Sequence, residues 1–190
     1  MIHIALEGID NSGKTTISAF LETKLVEMGI KAAVSKELTT DVGKIIISLF
    51  DRKIPLSPKA KTLMFAADRL LRYEQLKKND VDIVIWDRYV YSAIVYRQME
   101  GLDTQWVQEV NSIFPDAERQ YYLDIDPIEA QRRGEKCKKS CPYTIEQLTM
   151  CRNIYKDYVN KGDLVELETK SKEELAEIVL KDIERLDVRS

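Results

Sequence analysis

The sequence predicts an α/β protein of three layers, in which helices cover both faces of a mostly parallel five-stranded sheet. Short apolar runs alternate with longer amphipathic segments along the 190 residues, which is the pattern of a parallel sheet with helical connections. A glycine-rich loop at residues 8–15 joins the first apolar run to the first amphipathic segment. No repeat or break in composition divides the chain, so residues 1–190 are expected to form a single domain.

The elements of the first half follow from apolar spacing and glycine or proline breaks. Residues 2–6 are apolar and run into the glycine loop, as a buried strand does. The next segment carries Ile17, Leu21 and Leu25 at helical spacing, and Gly29 ends it. The elements predicted here are, in order, a strand at 2–6, a helix at 14–28, a strand at 32–37, helices at 42–50 and 59–78, and a strand at 82–86.

The second half continues the alternation. Its closing helix has the clearest start, because Ser171 and Glu174 have the spacing of a capping box. The elements predicted here are, in order, helices at 89–100 and 104–113, a strand at 120–125, helices at 128–133 and 145–160, a strand at 164–167 and a helix at 171–186.

Polar residues follow several of these strands. Gly8, Glu37, Asp87 and Asp126 each come at or just after a predicted strand end. The carboxyl ends of parallel strands meet at one edge of the sheet, and ligands bind there. The chemistry of the protein is therefore expected at this edge.

The composition favours a globular protein that acts on small molecules. Apolar residues make up 44% and charged residues 32% of the chain, with a net charge of −3. A general nucleic-acid binder is usually basic, so no nucleic-acid partner is expected. The amino-terminal residues lack the pattern of a signal peptide, and no apolar run approaches the roughly 18 residues of a membrane span. A cytoplasmic location without membrane contact is expected.

The cysteines allow two interpretations. Cys137 and Cys141 flank a lysine-rich stretch and have a spacing that a metal knuckle could use. A fourth ligand is missing, because Cys151 is the only other cysteine and His3 is the only histidine. Ordinary reduced thiols are the favoured interpretation.

The glycine loop matches a phosphate-binding sequence without a mismatch. The pattern is G-x-x-x-x-G-K-[ST], and here it follows a strand and opens a helix, as its mechanism requires. Lys14 is expected to reach the β- and γ-phosphates of a nucleoside triphosphate, and the Thr15 hydroxyl to hold Mg²⁺. The expected nucleotide-binding residues are Gly8, Ile9, Asp10, Asn11, Ser12, Gly13, Lys14, Thr15 and Thr16.

Asp87 is the expected second contributor to a magnesium site. It ends the most apolar strand, where P-loop proteins place an aspartate, although an aspartate there could also cap the next helix. A GTPase is the first alternative, because residues 160–163 read N-K-G-D and fit a guanine-reading pattern. That stretch follows a predicted helix and not a strand, so a surface turn is favoured.

The sequence resembles the thymidylate kinase family at several points. The loop G-I-D-N-S-G-K-T-T at 8–16 and the segment D-R-Y-V-Y-S at 87–92 match the family's two main motifs. Between them, L-M-F-A-A-D-R at 63–69 resembles the family's acceptor helix. A weaker match is Y-L-D-I-D-P at 122–127 followed by R-R-G at 132–134. The resemblance covers nearly the whole chain in the family's order and implies a P-loop kinase fold.

The resemblance implies a role for each matching residue. Phe65 would stack on a pyrimidine ring, and Arg69, four residues on, would donate to a base carbonyl. Arg88 would clamp the acceptor's phosphate, since a guanidinium fork suits that group. Asp10 would meet the sugar 3′-hydroxyl and help to hold Arg88. Three of the implied roles have structural alternatives: Phe65 could lie in the core, Arg69 on a solvated face with Arg72, and Tyr96 in ordinary packing. Only their joint placement with the loop and residues 87–89 favours the functional interpretation.

Further expected roles complete the site. Tyr96 would wall the sugar and disfavour a 2′-hydroxyl, with Ser92 beside it. Arg132 or Arg133 would approach the transferring phosphoryl group from a lid at residues 132–144. The residues expected to act in transfer are Asp10, Lys14, Arg88, Arg132 and Arg133. Those expected to bind the acceptor are Asp10, Glu37, Phe65, Arg69, Arg88, Ser92 and Tyr96.

Two segments depart from the family pattern. Family members usually carry an arginine after the second strand, where this chain has K-E-L-T-T at 36–40. Lys36 is a point charge and replaces that arginine imperfectly. The segment K-C-K-K-S-C-P at 136–142 replaces a more usual lid. These departures concern the choice of acceptor and leave the reaction class intact.

The expected reaction is phosphoryl transfer from ATP to dTMP, giving ADP and dTDP, with Mg²⁺ as the metal. Catalysis would consist of positioning and charge neutralisation, with a closed lid excluding water. Two alternatives stay open at this point: a kinase for another pyrimidine nucleotide or for a deoxynucleoside, with Glu37 as the candidate base, and a non-catalytic ATP-binding module. Family members are typically homodimers, so the resemblance implies a homodimer here.

Overall fold

The structure is a computed structural model, and it describes residues 1–137, 141–167 and 171–186. Strands and helices alternate along this part of the chain. In order they are β1 (Ile2–Glu7), α1 (Lys14–Glu27), β2 (Ala32–Lys36), α2 (Asp41–Asp51), α3 (Pro58–Lys77), β3 (Ile83–Asp87), α4 (Val90–Met99), α5 (Thr104–Asn111), β4 (Arg119–Leu123), α6 (Pro127–Lys136), α7 (Ile145–Lys161), β5 (Val165–Leu167) and α8 (Lys172–Ile183).

The five strands form one parallel sheet in the order β2-β3-β1-β4-β5. This arrangement confirms the predicted fold class and the order of its elements. Parallel neighbours require crossover connections, and the helices between the strands supply them. Because β1 lies at the centre, the loop that follows it opens at the middle of the sheet edge.

Alternating side chains of the central strands pack on opposite faces of the sheet. Ile4 and Leu6 of β1 lie in a core cluster with α1 and α8. Ala5, between them, lies in a second cluster with Trp86 of β3 and with Ala66 and Leu76 of α3. This period of two places one helical layer on each face, so the sheet is buried on both sides, as parallel sheets require.

The register of the sheet brings two functional segments together. Leu6 of β1 is paired with Asp87 of β3, so the loops that begin at Gly8 and Arg88 leave the sheet side by side. Gly8 has φ of 144°, and a Cβ atom on it would lie 2.7 Å from the carbonyl oxygen of Leu123. Only glycine fits this close approach to β4.

Candidate active site

The phosphate loop takes the shape that anion binding requires. Gly13 has φ of 104° and directly precedes α1, whose first residue is Lys14. The backbone N–H groups at such a helix start have no partner within the helix and favour negative charge. The side chain of Ile9 is instead fully buried in the core, so Ile9 contributes to the loop through its backbone.

Lys14 folds back into the loop. Its Nζ donates hydrogen bonds to the carbonyl oxygens of Gly8, at 2.9 Å, and Ile9, at 2.7 Å, and to Ser12 Oγ at 3.0 Å. Burial, with the nearby positive charge of Arg88, lowers the pKa of Lys14 to about 7. The Lys14 amine therefore loses its proton at a lower pH than an exposed lysine does. An anion bound in the loop would favour the protonated, positively charged form.

Thr15 and Asp87 lie in contact. The Thr15 hydroxyl donates to Asp87 Oδ2 at 2.6 Å, and the Asp87 side chain is almost fully buried at the end of β3. No group of three or more His, Cys, Asp or Glu side chains suited to a metal ion occurs among the described residues. A hydroxyl and one carboxylate suit Mg²⁺ that takes its other ligands from substrate phosphates and water.

Arg88 is held from several sides in a strained backbone position. Its φ is 77°, a value that non-glycine residues seldom adopt. Nη1 donates to the Gly8 carbonyl oxygen at 3.0 Å and Nη2 to Asp10 Oδ1 at 2.7 Å. Tyr96 Oη donates to the other Asp10 oxygen at 3.0 Å. The expected link between Asp10 and Arg88 is therefore present, and the guanidinium plane is fixed.

The charge of Asp10 is maintained by this arrangement. Burial by itself would raise the pKa of Asp10, but the positive charges of Arg88 and Lys14 and the hydrogen bond from Tyr96 outweigh it and leave the pKa lowered. Asp10 is thus a carboxylate between two cations at the start of the loop.

Glu7 is a functional residue that the sequence reasoning missed. It is fully buried and accepts hydrogen bonds from the backbone N–H of Tyr89, at 3.0 Å, and from the Ser92 hydroxyl. Burial raises the pKa of Glu7, against the Ser92 hydrogen bond and the charge of Arg88. Glu7 thereby ties the end of β1 to the start of α4 and supports the unusual backbone at Arg88. A lone acidic residue before a phosphate loop gives no sequence signal for this role.

Two cavities lie at the carboxyl edge of the sheet. The smaller, of about 610 Å³, is lined by the phosphate loop, Asp87, Arg88 and Arg133. The larger, of about 770 Å³, extends between α3 and α4, away from the loop. Asp10, Glu37, Leu38 and Arg88 line both cavities, so the two cavities share a wall at these residues.

Most of the predicted acceptor residues line the larger cavity. They are Asp10, Glu37, Phe65, Arg88, Ser92 and Tyr96. The ring of Phe65 faces the cavity wall beside Phe50, with 6.4 Å between ring centroids. The cavity also has lining residues that the sequence reasoning did not single out: Lys53, Ile54, Lys61, Thr62, Arg97, Glu100, Tyr143 and Gln147.

Arg69 is the exception, because it lies outside the lining of both cavities. Its guanidinium is buried and donates to Asn111 Oδ1 at 2.6 Å, to Glu37 Oε1 at 3.0 Å and to the Tyr89 carbonyl oxygen at 3.1 Å. The role expected of Arg69, donation to a base carbonyl from the helix face of Phe65, stays a prediction: its Nη groups bond to protein acceptors here, and its buried Nε has no hydrogen-bond partner among the described residues. The pairing with Glu37 and the packing of α3 on α5 turn Arg69 inward, where it fixes the position of Glu37.

Of the two lid arginines, the structure brings only Arg133 to the site. Arg133 lines the smaller cavity and a third pocket of about 190 Å³ beside α1. Arg132 lines none of these cavities; it is largely exposed and pairs with Glu129, one turn earlier on α6. The predicted lid at 132–144 includes residues 138–140, which lie outside the described residues. On either side of them, Cys137 lines the smaller cavity and Tyr143 the larger.

The segment after β2 is held by a buried carboxylate. Asp68 accepts hydrogen bonds from the backbone N–H of Leu38, at 2.6 Å, and from the Thr40 hydroxyl, also at 2.6 Å. Leu38 has φ of 62°, and a Cβ on Gly43 would lie 2.4 Å from its carbonyl carbon. Lys36, at the end of β2, lines the smaller cavity with the phosphate loop.

The structure bears on two alternatives that the sequence raised, a guanine-reading motif and a cysteine metal site. Residues 160–163, which resemble a guanine-reading motif, form the exposed carboxyl end of α7, where Gly162 has φ of 85°. This confirms the interpretation as a surface turn.

Cys137, Cys141 and Cys151 are free thiols, with Cys151 buried in the core. Across the described ranges, every helix is too short or too polar to cross a membrane.

Comparisons with known proteins identify relatives of this chain. A family model described as "Thymidylate kinase" matches residues 6–179. A probable thymidylate kinase of Sulfurisphaera tokodaii is 34% identical over 92% of this chain and 91% of its own length. The probable thymidylate kinase 1 of Saccharolobus solfataricus is also 34% identical, over 96% of both chains.

A solved structure shows the same fold. The crystal structure of thymidylate kinase from Ehrlichia chaffeensis superposes with a TM-score of 0.72 and covers 96% of this chain and 98% of its own, at 22% identity. The matched family model, the full-length relatives and the phosphate loop beside Asp87 and Arg88 lead to one conclusion: this chain belongs to the thymidylate kinase family.

Proposed function

We propose that this protein transfers the γ-phosphoryl group of ATP to dTMP, giving ADP and dTDP. The observation that carries the proposal is the meeting of two cavities at Asp10 and Arg88. One cavity is lined by a phosphate-binding loop, and the other contains an aromatic ring and room for a nucleotide. A transfer between two phosphates requires that both be held at such a shared wall.

The donor is proposed to bind along the phosphate loop. Lys14 and the backbone N–H groups of residues 10–16 would hold the β- and γ-phosphates. Thr15 and Asp87 would hold Mg²⁺, which supplies charge neutralisation at the phosphate oxygens when bound. Arg133 lies at the junction of the loop cavity and the pocket beside α1, a position suited to the transferring group and the donor nucleoside.

The acceptor is proposed to lie in the larger cavity with its phosphate at Arg88. Asp10 holds the guanidinium, and its two long hydrogen bonds, to Ser92 at 3.4 Å and to Tyr96 at 3.5 Å, can be exchanged for bonds to a phosphate. Phe65 and Tyr96 both line this cavity; Phe65 would offer a stacking face for the base, and Tyr96 would crowd a 2′-hydroxyl. The acceptor is already a phosphate dianion, so no general base is needed.

A deoxynucleoside kinase is the second candidate, because Glu37 lines both cavities. A base for a 5′-hydroxyl would have to accept a proton there. Arg69 already pairs with the Glu37 carboxylate at 3.0 Å. This pairing is better suited to a carboxylate that positions other groups than to a carboxylate that exchanges a proton.

An acceptor panel tests the proposal. Rates with ATP and Mg²⁺ are measured for dTMP, dUMP, dCMP, UMP, dGMP and thymidine. The proposal expects dTMP to give the highest kcat/KM, with dUMP lower by the value of one methyl group, about 1–3 kcal/mol. A purine nucleotide as the best acceptor would overturn the assignment to dTMP and leave nucleotide kinase activity in place.

We also propose that the protein is one domain that works as a homodimer in the cytoplasm. Helices α2 and α3 pack together, and each carries an apolar side chain that is more than half exposed, Ile45 on α2 and Leu63 on α3. Such residues on neighbouring helices suit a surface that a second copy covers.

A further inference from the structure

A half-buried carboxylate directly after β4 accepts hydrogen bonds from α7. Arg152 of α7 donates two of them to Asp124, from Nε at 2.8 Å and from Nη2 at 2.7 Å. Tyr122 Oη donates to the same carboxylate at 2.7 Å, and Lys156 Nζ lies 3.1 Å from it. Burial by itself would raise the pKa of Asp124, but the hydrogen bonds from these three side chains outweigh it and leave the pKa lowered. Asp124 is therefore an ionised group that α7 holds in place.

The end of β4 lies against the phosphate loop. The Leu123 carbonyl oxygen makes the close approach to Gly8 that only a glycine allows. Asp124 also lines the pocket of about 190 Å³ beside α1, together with Ser12 and Gly13 of the loop. The residues that Arg152 holds are therefore in contact with the proposed donor site.

Arg152 also reaches the start of α6. Its Nη1 lies 3.9 Å from Asp126 Oδ2. Asp126 is the N-cap of α6, and its Oδ1 accepts from the backbone N–H groups of Ile128, at 2.9 Å, and Glu129, at 3.4 Å. One arginine thus contacts both acidic side chains of the connection at 124–126, which leads from β4 to α6.

The contacts continue along α6 to Arg133. Glu129 Oε1 accepts a hydrogen bond from Arg133 Nε at 2.9 Å, one turn later on the helix. Arg133 lines both the smaller cavity and the pocket beside α1. A continuous series of contacts therefore leads from Arg152, through Asp126 and Glu129, to a cation of the proposed donor site.

Stability alone does not account for the pair of Arg152 and Asp124. A partly exposed ion pair contributes little to stability. A bidentate pair of arginine and carboxylate instead fixes an orientation, because two N–H groups of a planar fork meet two oxygens. The orientation fixed here is that of the connection between the phosphate loop and the helix that carries Arg133.

We propose that Arg152 is a positioning residue for phosphoryl transfer: by holding Asp124 and Asp126, it sets Arg133 against the phosphate loop. The inference rests on the proposed function, since it takes Arg133 to act on the bound triphosphate. Arg152 lines none of the three cavities described above, so its effect on the reaction passes through other residues.

The test is a double-mutant cycle of Arg152→Met and Arg133→Ala, measured as kcat at saturating ATP and acceptor. Arg152→Met is expected to lower kcat by about 10- to 100-fold, the effect of a displacement of about 1 Å at the reacting groups. In Arg133→Ala the same substitution should lower kcat by less than about threefold, because the group that Arg152 positions is gone. The KM for the acceptor should stay near its wild-type value, since neither arginine lines the larger cavity.

A matched control and a conservative variant accompany the cycle. Arg119 is 34% exposed, against 32% for Arg152, and its Nε donates to Asp182 of α8 at 2.9 Å. Arg119→Met should therefore leave kcat unchanged. Arg152→Lys keeps the charge without the fork and should recover only part of the lost kcat. It also takes the place of Arg152→Met in the cycle if that variant does not fold.

A merely structural role gives a different result. The inference is overturned if the change at residue 152 lowers kcat by the same factor with and without Arg133, if Arg119→Met lowers it equally, or if Arg152→Lys restores it in full. An unaltered kcat in Arg152→Met overturns the inference as well.

Failure of the proposed function is seen separately, in the wild type. The cycle uses the best acceptor of the panel above, so a preference for another nucleotide refutes dTMP as the substrate and leaves the inference standing. If the wild type transfers to no acceptor, the proposed function fails alone, and the same cycle is measured on ATP affinity by calorimetry. There too, equal losses from Arg152→Met with and without Arg133 would overturn the inference.

Discussion

At the scale of single residues, the site depends on cations that protein groups hold in place. Lys14 is bonded to two carbonyl oxygens and a hydroxyl, and burial lowers its pKa to about 7. Arg88 shares its guanidinium between Asp10 and the Gly8 carbonyl. Both side chains are therefore fixed in place before any phosphate arrives, which reduces the ordering that binding requires.

The lowered pKa of Lys14 predicts that ATP binding takes up a proton. At about pH 8.5 the free enzyme's Lys14 is mostly neutral, and the phosphates of bound ATP would restore its charge. The affinity for ATP should therefore decrease as the pH rises above about 7. Calorimetry in buffers of different ionisation enthalpy measures the uptake, and Lys14→Met should abolish it. A binding enthalpy that is the same in all buffers at this pH would show that Lys14 keeps its charge throughout.

The same residue predicts a pH dependence of stability. Unfolded Lys14 has its ordinary pKa of 10.5, and the folded value is about 7. The unfolded chain thus binds more protons between these values, so the buried lysine costs stability fully below pH 7 and progressively less as the pH rises towards 10.5. The free energy of unfolding in Lys14→Met, minus that of the wild type, should be largest below pH 7. A difference that is constant with pH would contradict the lowered pKa.

Arg88 is expected to act on the acceptor and not on ATP. Arg88→Ala should lower kcat/KM for dTMP by about 100-fold or more, because a bidentate, charge-assisted contact is lost. Arg88→Lys should recover only part, since an ammonium cannot supply the fork. Steady-state kinetics and ATP titration measure both effects, with Arg119→Ala, on a distant surface ion pair, as the control. Loss of ATP affinity with unchanged use of dTMP would place Arg88 on the donor.

At the scale of elements, local sequence patterns predicted where helices and strands lie better than they predicted how these elements pack together. Helix starts were readable because Ser171 and Glu174 form the capping box that their spacing indicates. The strand at β3 was placed one residue early, because Asp87 itself belongs to the ladder. The phosphate loop was identified in full, since its function lies in consecutive residues.

Contacts between elements were not readable in this way. Arg69 has the spacing of a face shared with Phe65, but the docking of α3 on α5 turns it to Asn111. Lys61 and Glu100 meet only because α3 packs beside α4, and neither has a neighbour in sequence that signals this contact. This end of the larger cavity could therefore be recognised only from the structure.

The loop between β2 and α2 gives a prediction at this scale. Gly43→Ala would place a Cβ 2.4 Å from the Leu38 carbonyl carbon and 2.6 Å from Asp68 Oδ1. Overpacking of this kind typically costs about 1–3 kcal/mol. The expected result is a melting temperature lower by roughly 2–12 °C and a raised KM for dTMP, because Leu38 lines the acceptor cavity. Lys44→Ala, on the exposed side of α2, is the control, and an unchanged melting temperature in Gly43→Ala would contradict the close packing.

At the scale of the whole molecule, both cavities lie at one edge of the sheet. The proposed dimer surface lies on α2 and α3, on one face of the sheet, and α1 lies on the other face. Light scattering after size-exclusion chromatography is expected to show a dimer. Ile45→Glu on α2 should dissociate it, because a charge in an apolar interface is left unpaired. Val26→Glu on α1 changes a residue of equal exposure, 56%, on the other face and serves as the control. A monomeric wild type, or dissociation by both variants alike, would contradict the proposed surface.

The central claim is transfer between two phosphates across the wall formed by Asp10 and Arg88. Its most direct measurement follows products by chromatography when ATP and Mg²⁺ are supplied with equal concentrations of dTMP and thymidine. The account predicts that dTDP and ADP appear in equal amounts while thymidine is left unchanged. ADP without dTDP, or conversion of thymidine to dTMP ahead of any dTDP, would contradict it.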